Sequence, residues 1–202
     1  MHRGMAEIHL TFETLSGPAL HPLLPALARL RMTVFRAWPY LYAGDAAHEH
    51  DYLRTYAESP GAAVVFCRDG DAVVGAATCQ PMLQSHAPIP AAFRAAGLDP
   101  ARFCYFGGSV LLPAYRGRGA GVRFFTDREA QARALSLPET AFCAVLRDPA
   151  DPRCPAGHTP LDAFWRNRGY VQRSDLMVRL DWKEDEQTTE ITHDLVFWTK
   201  SL

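Results

Sequence analysis

Apolar residues recur along the chain with two periods, and these periods predict the elements of the fold. Alternation, or a short unbroken apolar run, predicts strands at residues 7–14, 62–67, 72–79, 103–112, 141–146, 170–182 and 191–199. Spacings of three and four predict helices from 22 to about 38, from 45 to about 58, from 121 to 135 and from 160 to 169, with a helical turn around 91–96. Elements in this order predict an α+β fold, with helices flanking a mixed, mainly antiparallel sheet.

One stretch joins an apolar strand to a proline and three closely spaced glycines; it is residues 109–121, SVLLPAYRGRGAG. Pro113 ends the strand because it has no N–H to donate to a neighbour. The glycines let the backbone approach a ligand closely, and the first N–H groups of the next helix have no partner inside it. The helix dipole and the charges of Arg116 and Arg118 favour an anion. The stretch therefore predicts a pyrophosphate site.

Two common phosphate-binding glycine patterns do not fit this stretch. A Walker loop needs Gly-x-x-x-x-Gly-Lys-Ser/Thr, and no lysine follows any glycine of this chain. A dinucleotide-binding loop needs Gly-x-Gly-x-x-Gly, whereas the glycines here are Gly117, Gly119 and Gly121. The alternative without a ligand is a surface turn whose glycines cap a helix.

The stretch 111–121 resembles the acyl-CoA loop of the GNAT family of N-acetyltransferases, whose signature is Arg/Gln-x-x-Gly-x-Gly/Ala after a strand. Residues 161–170 are similar to that family's helix Ala-x-x-Φ-Tyr-x-x-x-Gly-Phe, where Φ is apolar, and the element order resembles the GNAT fold over nearly the whole chain. The resemblance implies acetyl-CoA as acyl donor, with pantetheine in a gap between the splayed strands 103–112 and 141–146. The residues that it assigns to acetyl-CoA are Val110, Leu111, Leu112, Arg116, Gly117, Arg118, Gly119, Ala120, Gly121 and Trp165.

Two positions depart from the family's pattern. Many relatives have a tyrosine that can protonate the departing thiolate where this chain has Trp165, and a glutamate early in the loop-bearing strand where it has Tyr105. Residues 103–110 contain no Asp, Glu or His, so Tyr105 and Ser109 are the polar side chains of this strand, and strict alternation puts both on one face. We therefore expect Tyr105 and Ser109 to be catalytic, with Tyr105 passing the proton of the amine to ordered water. The alternative is that Tyr105 is a core residue whose hydroxyl finds a backbone partner.

The segment 36–45 packs three aromatic residues and an arginine into a connection between two predicted helices. Aromatic loops are often binding surfaces, so we expect Arg36, Tyr40, Tyr42 and Asp45 to contact the acceptor. The alternative is a hydrophobic lid that seals the core. The proline-rich loop 147–160 is unusually long for a compact domain and is expected to assist in acceptor recognition.

Composition limits the class of protein. The chain has 202 residues, of which 48% are hydrophobic, and is expected to form a single domain over residues 1–202. A net charge of −1 without a basic patch argues against nucleic acid as a partner, and no apolar run is long enough to span a membrane. Five cysteines without close spacing predict neither a disulfide framework nor a metal site, and His48 and His50 point to different sides of a helix. These observations favour a cytoplasmic protein.

The predicted function is transfer of an acetyl or other acyl group from acetyl-CoA to an amine by direct attack in a ternary complex. Backbone N–H groups around residues 110–112 would polarise the thioester carbonyl. One alternative is a non-catalytic module that binds or senses acyl-CoA, and another is a ping-pong enzyme that uses Cys104 or Cys143. The acceptor, a small-molecule amine or a protein amine, stays open, as does formation of a homodimer.

Overall fold

The protein is described from a computed structural model that covers residues 8–185 and 187–202. The strands of this part of the chain are β1 (Leu10–Leu15), β2 (Ala63–Asp69), β3 (Ala72–Pro81), β4 (Phe103–Tyr105), β5 (Ser109–Leu111), β6 (Glu139–Val145), β7 (Val171–Trp182) and β8 (Ile191–Ser201). Its α-helices are α1 (Leu24–Phe35), α2 (Ala46–Glu58), α3 (Pro88–Ala95), α4 (Ala120–Ala134) and α5 (Asp162–Arg166). None of the described helices is long and apolar enough to cross a membrane.

The predicted elements are present, with shifted boundaries. The first strand starts at Leu10, and residue 7 lies outside the described residues. The first predicted helix begins as a 3-10 helix, Gly17–Leu23, before α1. Asp45 caps α2, because its carboxylate accepts from the N–H groups of Ala47 and His48 at 3.0 and 2.9 Å.

The sheet has the order β1-β2-β3-β4-β6-β8-β7, and β5 pairs with β3 beside β4. Only β4 and β6 run parallel among the described strands, which confirms the mixed, mainly antiparallel sheet. The hairpin of β2 and β3 turns at Gly70, where φ is +56°. This hairpin places the central strand β3 against both β4 and β5.

The single strand predicted over residues 103–112 is divided into β4 and β5. Tyr105 pairs with Gln80 of β3, and Ser109 pairs with Ala77 of β3. The two β3 residues are three positions apart along the chain, whereas their partners are four positions apart. One extra residue is therefore inserted between Tyr105 and Ser109, which is a β-bulge. The sequence pattern did not predict it, because Gly107 and Gly108 fit a strand or an irregular segment equally well.

Thr78 of β3 holds this bulge. Its carbonyl accepts from the N–H of Gly107 at 3.2 Å, its N–H donates to the carbonyl of Gly108 at 2.9 Å, and its Oγ1 accepts from the N–H of Gly108 at 3.0 Å. On the α1–α2 side, the hydroxyl of Tyr56 lies 2.1 Å from the place that a Cβ on Gly107 would occupy. A glycine is required at this position because Tyr56 fills the space of a side chain.

The sheet opens just beyond the bulge. The N–H of Phe106 donates to the carbonyl of Ala141 at 2.8 Å, and β4 and β6 pair only up to Tyr105 and Ala141. Beyond this point β5 stays with β3, whereas β6 stays with β8 as far as Val145. A gap therefore lies between β5 and the second half of β6, as expected for splayed strands.

The two faces of the sheet carry different cores. On one face, α1 and α2 cover β2, β3 and β5 with aliphatic residues such as Leu27, Leu53 and Val110. On the other face, α4 and α5 enclose an aromatic cluster that includes Phe125, which lies 5.0 Å from the Tyr170 ring centroid. The gap therefore lies between the layer of α1 and α2 and the layer of α4 and α5.

We predict that Gly107→Ala destabilises the protein because its methyl group would collide with the hydroxyl of Tyr56. Overpacking of this kind costs about 1–3 kcal/mol. Tyr56→Phe removes the colliding oxygen, so the penalty of Gly107→Ala should shrink in that background. Urea unfolding of the two single variants and the double variant measures the coupling. An equal penalty in both backgrounds would show that the contact with Tyr56 does not restrict this position.

Candidate active site

The glycine-rich turn lies at the open end of the gap. After β5 the chain makes a 3-10 turn, Pro113–Tyr115, and the hydroxyl of Tyr115 donates to Asp69 at 3.1 Å. Gly117 and Gly119 then have φ values of +74° and +85°, a conformation that side chains disfavour. Gly119 is the N-cap residue of α4. The turn therefore aims the N-terminus of a 15-residue helix at the mouth of the gap.

The donors of this turn are free within the described residues. No carbonyl there accepts from the N–H groups of Gly117, Arg118 or Gly119, and the first N–H groups of α4 have no helical partner. A Cβ on Gly117 or Gly119 would meet nothing within 4 Å, so the space above the turn is open. Arg116 and Arg118 are exposed and form no ion pair in the described part of the chain. These features suit a pyrophosphate.

The edge of β5 that faces the gap also presents backbone donors. The N–H of Leu112 donates to the carbonyl of Val74 at 3.0 Å, and the carbonyl of Gly108 accepts from the N–H of Thr78 at 2.9 Å. The backbone polar groups of Leu112 and Gly108 therefore point towards β3. Alternation in an antiparallel pair gives Val110 the same orientation and turns the N–H groups of Ser109 and Leu111 away from β3. Of the expected donors at residues 110–112, Leu111 is therefore the one that faces the gap.

Trp165 of α5 lies behind β6. Its ring is 5.1 Å from that of Phe142, the first residue of β6 beyond the divergence, and 5.1 Å from that of Trp198. The ring of Phe164 lies against Gly121 at the start of α4, with Cζ 3.1 Å from the place of a Cβ. The short helix α5 therefore braces both the β6 wall and the glycine-rich turn.

Arg128 supports the bulge from the α4 side. Its guanidinium is buried between the rings of Phe106 and Phe125, at 4.2 and 4.9 Å from their centroids. It donates to the carbonyl of Phe124 at 3.1 Å and approaches that of Thr78 at 3.5 Å. Burial lowers the pKa of Arg128. Thr78 therefore connects the bulge to α4 through Arg128 and to α2 through Tyr56.

A polar network that the sequence analysis missed lies over the bulge on the α1–α2 side. The buried carboxylate of Glu49 accepts from Arg31 Nε at 2.6 Å. The hydroxyls of Tyr52 and Tyr56 lie 3.0 Å apart, and Tyr56 also hydrogen-bonds Thr78. Burial would lower the pKa of Arg31, but Tyr52 and Glu49 raise it. The sequence contains one indication of this network, because Arg31 is a charged residue within the apolar face of α1.

Tyr105 and Ser109 lie on opposite faces of the sheet, contrary to the expectation from alternation. Their partners Gln80 and Ala77 are three residues apart on β3, and the inserted residue of the bulge reverses the side-chain direction. Tyr105 is buried, and its hydroxyl lies 3.3 Å from Cys143 Sγ. Burial, followed by Cys143, raises the pKa of Tyr105 well above its ordinary value. The proton relay through Tyr105 is untested, and this burial favours the packing alternative.

The four residues expected to bind the acceptor are divided into two groups. Tyr40 lies between Phe35 and Trp182, with ring centroids at 4.8 and 5.8 Å, and its hydroxyl hydrogen-bonds the backbone of Val145 at the gap. Tyr42 hydrogen-bonds Glu49 of the polar network.

The two charged members of this set are engaged elsewhere. Arg36 is exposed and its Nε lies 2.5 Å from Asp185. The carboxylate of Asp45 is used as the helix cap. Neither is held against the gap as a charged anchor.

The proline-rich loop is tied to the aromatic loop by Arg147. Its guanidinium donates to the carbonyls of Pro39 and Tyr40 at 2.6 and 3.0 Å, and it lies 2.7 Å from the buried Glu184. Arg153 contacts the other oxygen of Glu184 at 2.5 Å. Burial would raise the pKa of Glu184, but Arg153 and Arg147 lower it. Both loops and the end of β7 therefore form one connected unit beside the gap.

Cys104 and Cys143, the two thiols considered for a ping-pong mechanism, give no sign of an activated nucleophile. Burial raises the pKa of Cys143 to about 11, and a hydrogen bond to Cys79 together with burial raises that of Cys104. A thiol in this state is almost fully protonated at neutral pH, which disfavours the ping-pong alternative. Among the described residues, no group of three or more His, Cys, Asp and Glu side chains is arranged to hold a metal ion.

The sheet is thus split between β5 and β6, with the N-terminus of α4 at its opening. The sequence profile of the acetyltransferase (GNAT) family matches residues 26–153. The chain belongs to this family. A search of curated protein sequences finds no match.

Solved structures share the fold over nearly the whole chain. A ribosomal-protein-alanine N-acetyltransferase from Brucella melitensis superposes with a TM-score of 0.61 at 16% identity, over 95% of this chain and 99% of that one. An N-acetyltransferase from Staphylococcus aureus Mu50 has a TM-score of 0.61 at 10% identity, over 96% and 98%. YncA from Salmonella typhimurium, solved with its cofactor acetyl-CoA, has a TM-score of 0.55 at 12% identity, over 96% and 94%. At these identities the likeness establishes the fold alone.

We predict that Tyr105→Phe leaves the turnover number within about twofold of the wild-type value, because Tyr105 is buried and its hydroxyl lies against Cys143. A relay residue would instead lose at least about tenfold. Steady-state kinetics with saturating acetyl-CoA across neutral and alkaline pH measures the effect. A large loss of turnover with an unchanged Michaelis constant for acetyl-CoA would restore Tyr105 to the proton route.

Proposed function

We propose that this protein transfers an acetyl group from acetyl-CoA to an amine by direct attack within a ternary complex. The observation that carries the proposal is the gap between β5 and β6, which has backbone donors along one edge and a glycine-rich turn with unpaired N–H groups at its open end. An extended pantetheine chain and a pyrophosphate have the shape and the charge that such a site accepts. Acetyl-CoA would supply the activated acyl group.

The residues proposed to hold acetyl-CoA fall into three sets. The N–H groups of residues 117–121 would bind the pyrophosphate, with Arg116 and Arg118 at its rim. Val110, Leu111 and Leu112 would form the β5 wall of the gap, where the N–H of Leu111 is free to bind the carbonyl oxygen of the thioester. Trp165 would support the opposite wall of the gap through its contact with Phe142. Its indole ring would not replace the phenol of a tyrosine as the proton donor to the departing thiolate.

The acceptor would approach from the α1–α2 side. Tyr40 hydrogen-bonds the backbone of Val145 in the β6 wall, Tyr42 hydrogen-bonds Glu49, and Phe35 lies 3.6 Å from the place of a Cβ on Gly108. Catalysis of this kind needs the amine held close to the thioester and freed of its proton. Because the aromatic loop is fixed by Arg147 and Trp182, we propose that it positions the acceptor without a large closing motion.

The anion-binding turn can be tested with Gly119→Val. A valine side chain would occupy the open space above the turn, and its φ of +85° would be strained by about 1–2 kcal/mol. We expect the dissociation constant for acetyl-CoA, measured by calorimetry on folded protein, to rise at least about tenfold.

Gly97→Val is the matched control for this variant. Gly97 also has a positive φ, +72°, and open space around it, but it follows α3 on the opposite face of the sheet from α4. Its variant should lose similar stability and keep its affinity for acetyl-CoA. Unchanged affinity in Gly119→Val, or an equal loss in both variants, would remove the turn from the binding site.

A panel of amine acceptors distinguishes an acetyltransferase from a module that only senses acyl-CoA. We expect incubation with acetyl-CoA and a mixture of amino acids, polyamines, aminoglycosides and a peptide N-terminus to yield an acetylated product and free CoA. Mass spectrometry identifies the product, and thiol release gives the rate. Tight binding of acetyl-CoA without acetylation of any member would favour the acyl-CoA-sensing module instead.

A further inference from the structure

Arg31 presents one unused nitrogen to the point where the sheet opens. Its Nη1 lies 2.9 Å from the place that a Cβ on Gly108 would occupy. Within the described residues this nitrogen donates to no acceptor, whereas Nε donates to Glu49 at 2.6 Å and Nη2 approaches the same carboxylate at 3.5 Å. One edge of the guanidinium is therefore held, and the other is available.

The available edge is fixed in direction. The guanidinium carbon of Arg31 lies 5.0 Å from the ring centroid of Phe35 and 4.7 Å from that of Tyr52, so the guanidinium packs against two aromatic rings. The Glu49 carboxylate is almost fully buried, and 12% of the Arg31 side chain is exposed. A planar fork held in this way cannot turn elsewhere, and its Nη1 edge is suited to bind a carboxylate oxygen.

The surroundings of Arg31 disfavour a cationic acceptor. The carboxylate of Glu49 is already used by Arg31 and Tyr42, which leaves no free negative group in this network to bind a second cation. A further positive charge beside Arg31 would be repelled in a site of low dielectric. A carboxylate would instead complete the hydrogen bonding of Nη1.

Gly108 connects this edge to the reacting end of the gap. It directly precedes Ser109, the first residue of β5 whose N–H faces the gap, and it has no side chain to separate Arg31 from the space beyond. An amine that attacks at this end would place the substituents of its neighbouring carbon beneath Arg31. The geometry favours an acceptor with its negative group close to the amine.

We propose that the acceptor is an amino acid, an amine with a carboxylate on the adjacent carbon, and that Arg31 Nη1 binds this carboxylate. The proposal rests on the proposed acetyl transfer. Glu49 is then a positioning residue that holds the fork, and Phe35, Tyr40 and Tyr52 form an apolar wall for the side chain of the acceptor.

The test measures binding, so that it does not depend on turnover. The probes are two pairs that differ by the carboxylate alone: N-acetyl-L-phenylalanine against N-acetylphenethylamine, and N-acetyl-L-alanine against N-acetylethylamine. We expect wild-type protein with saturating CoA to bind the better acid of the two at least about tenfold more tightly than its neutral partner in calorimetry. Equal affinity within both pairs, or no binding of any probe in the millimolar range, overturns the proposal.

A pair of neutralising variants locates the effect. Arg31→Gln combined with Glu49→Gln keeps side-chain size and leaves no unpaired buried charge, and it should abolish the preference for the acid while CoA affinity is retained. The control is Lys200→Gln combined with Glu129→Gln, an ion pair at 2.8 Å that packs on Tyr170 at the other face of the sheet, and it should keep the preference. Arg31→Lys, which retains the charge without the fork, should show an intermediate preference, and a preference that survives all Arg31 variants removes Arg31 from the site.

The failures of the two proposals are distinguishable. Acetylation of amines without a carboxylate at rates equal to or above those of the matching amino acids would overturn the amino-acid acceptor and leave acetyl transfer standing. Selective binding of the acids without any acetylation would support the role of Arg31 and overturn acetyl transfer.

Discussion

The insertion of one residue between Tyr105 and Ser109 sets the geometry on which the rest of this protein depends. Antiparallel pairing with β3 continues on both sides of the insertion, whereas parallel pairing with β6 stops at Tyr105. A strand that loses its neighbour exposes N–H and C=O groups along that edge. Here the N–H and C=O groups of β5 face the gap, where they are available to hydrogen-bond an extended ligand.

Holding the bulge requires polar groups inside the core, which links stability to the site. Thr78 satisfies the backbone of Gly107 and Gly108, Tyr56 contacts it from one layer, and Arg128 approaches it from the other. Buried polar groups are costly unless their hydrogen bonds are made. The bulge and its supports are therefore one cooperative unit, and a change in any of them is expected to affect folding as well as function.

The aromatic loop 36–45 is held in place by a second buried centre. Glu184 is bound by Arg147 and Arg153, and Arg147 also binds the backbone of the aromatic loop, so that two long connections share one anchor. Breaking a buried ion pair on one side leaves an uncompensated charge, which is strongly unfavourable. Loops fixed in this way lose little further entropy when a ligand binds.

The order and type of the elements, the glycine-rich turn and the family are predictable from the sequence, because they depend on short-range patterns: the hydrophobic period, the proline that ends a strand, and the glycine spacing. The break in the loop-bearing strand is not predictable in this way, since a one-residue insertion becomes visible only when the register with β3 is known. That insertion reversed the expected relation of Tyr105 and Ser109, and it selected Leu111 as the donor that faces the gap. The pairing of Arg31 with Glu49 and the pairing of Arg36 with Asp185 also depend on the tertiary structure. Side-chain partners that are 18 or 149 positions apart along the chain are set by packing, and no local pattern contains that information.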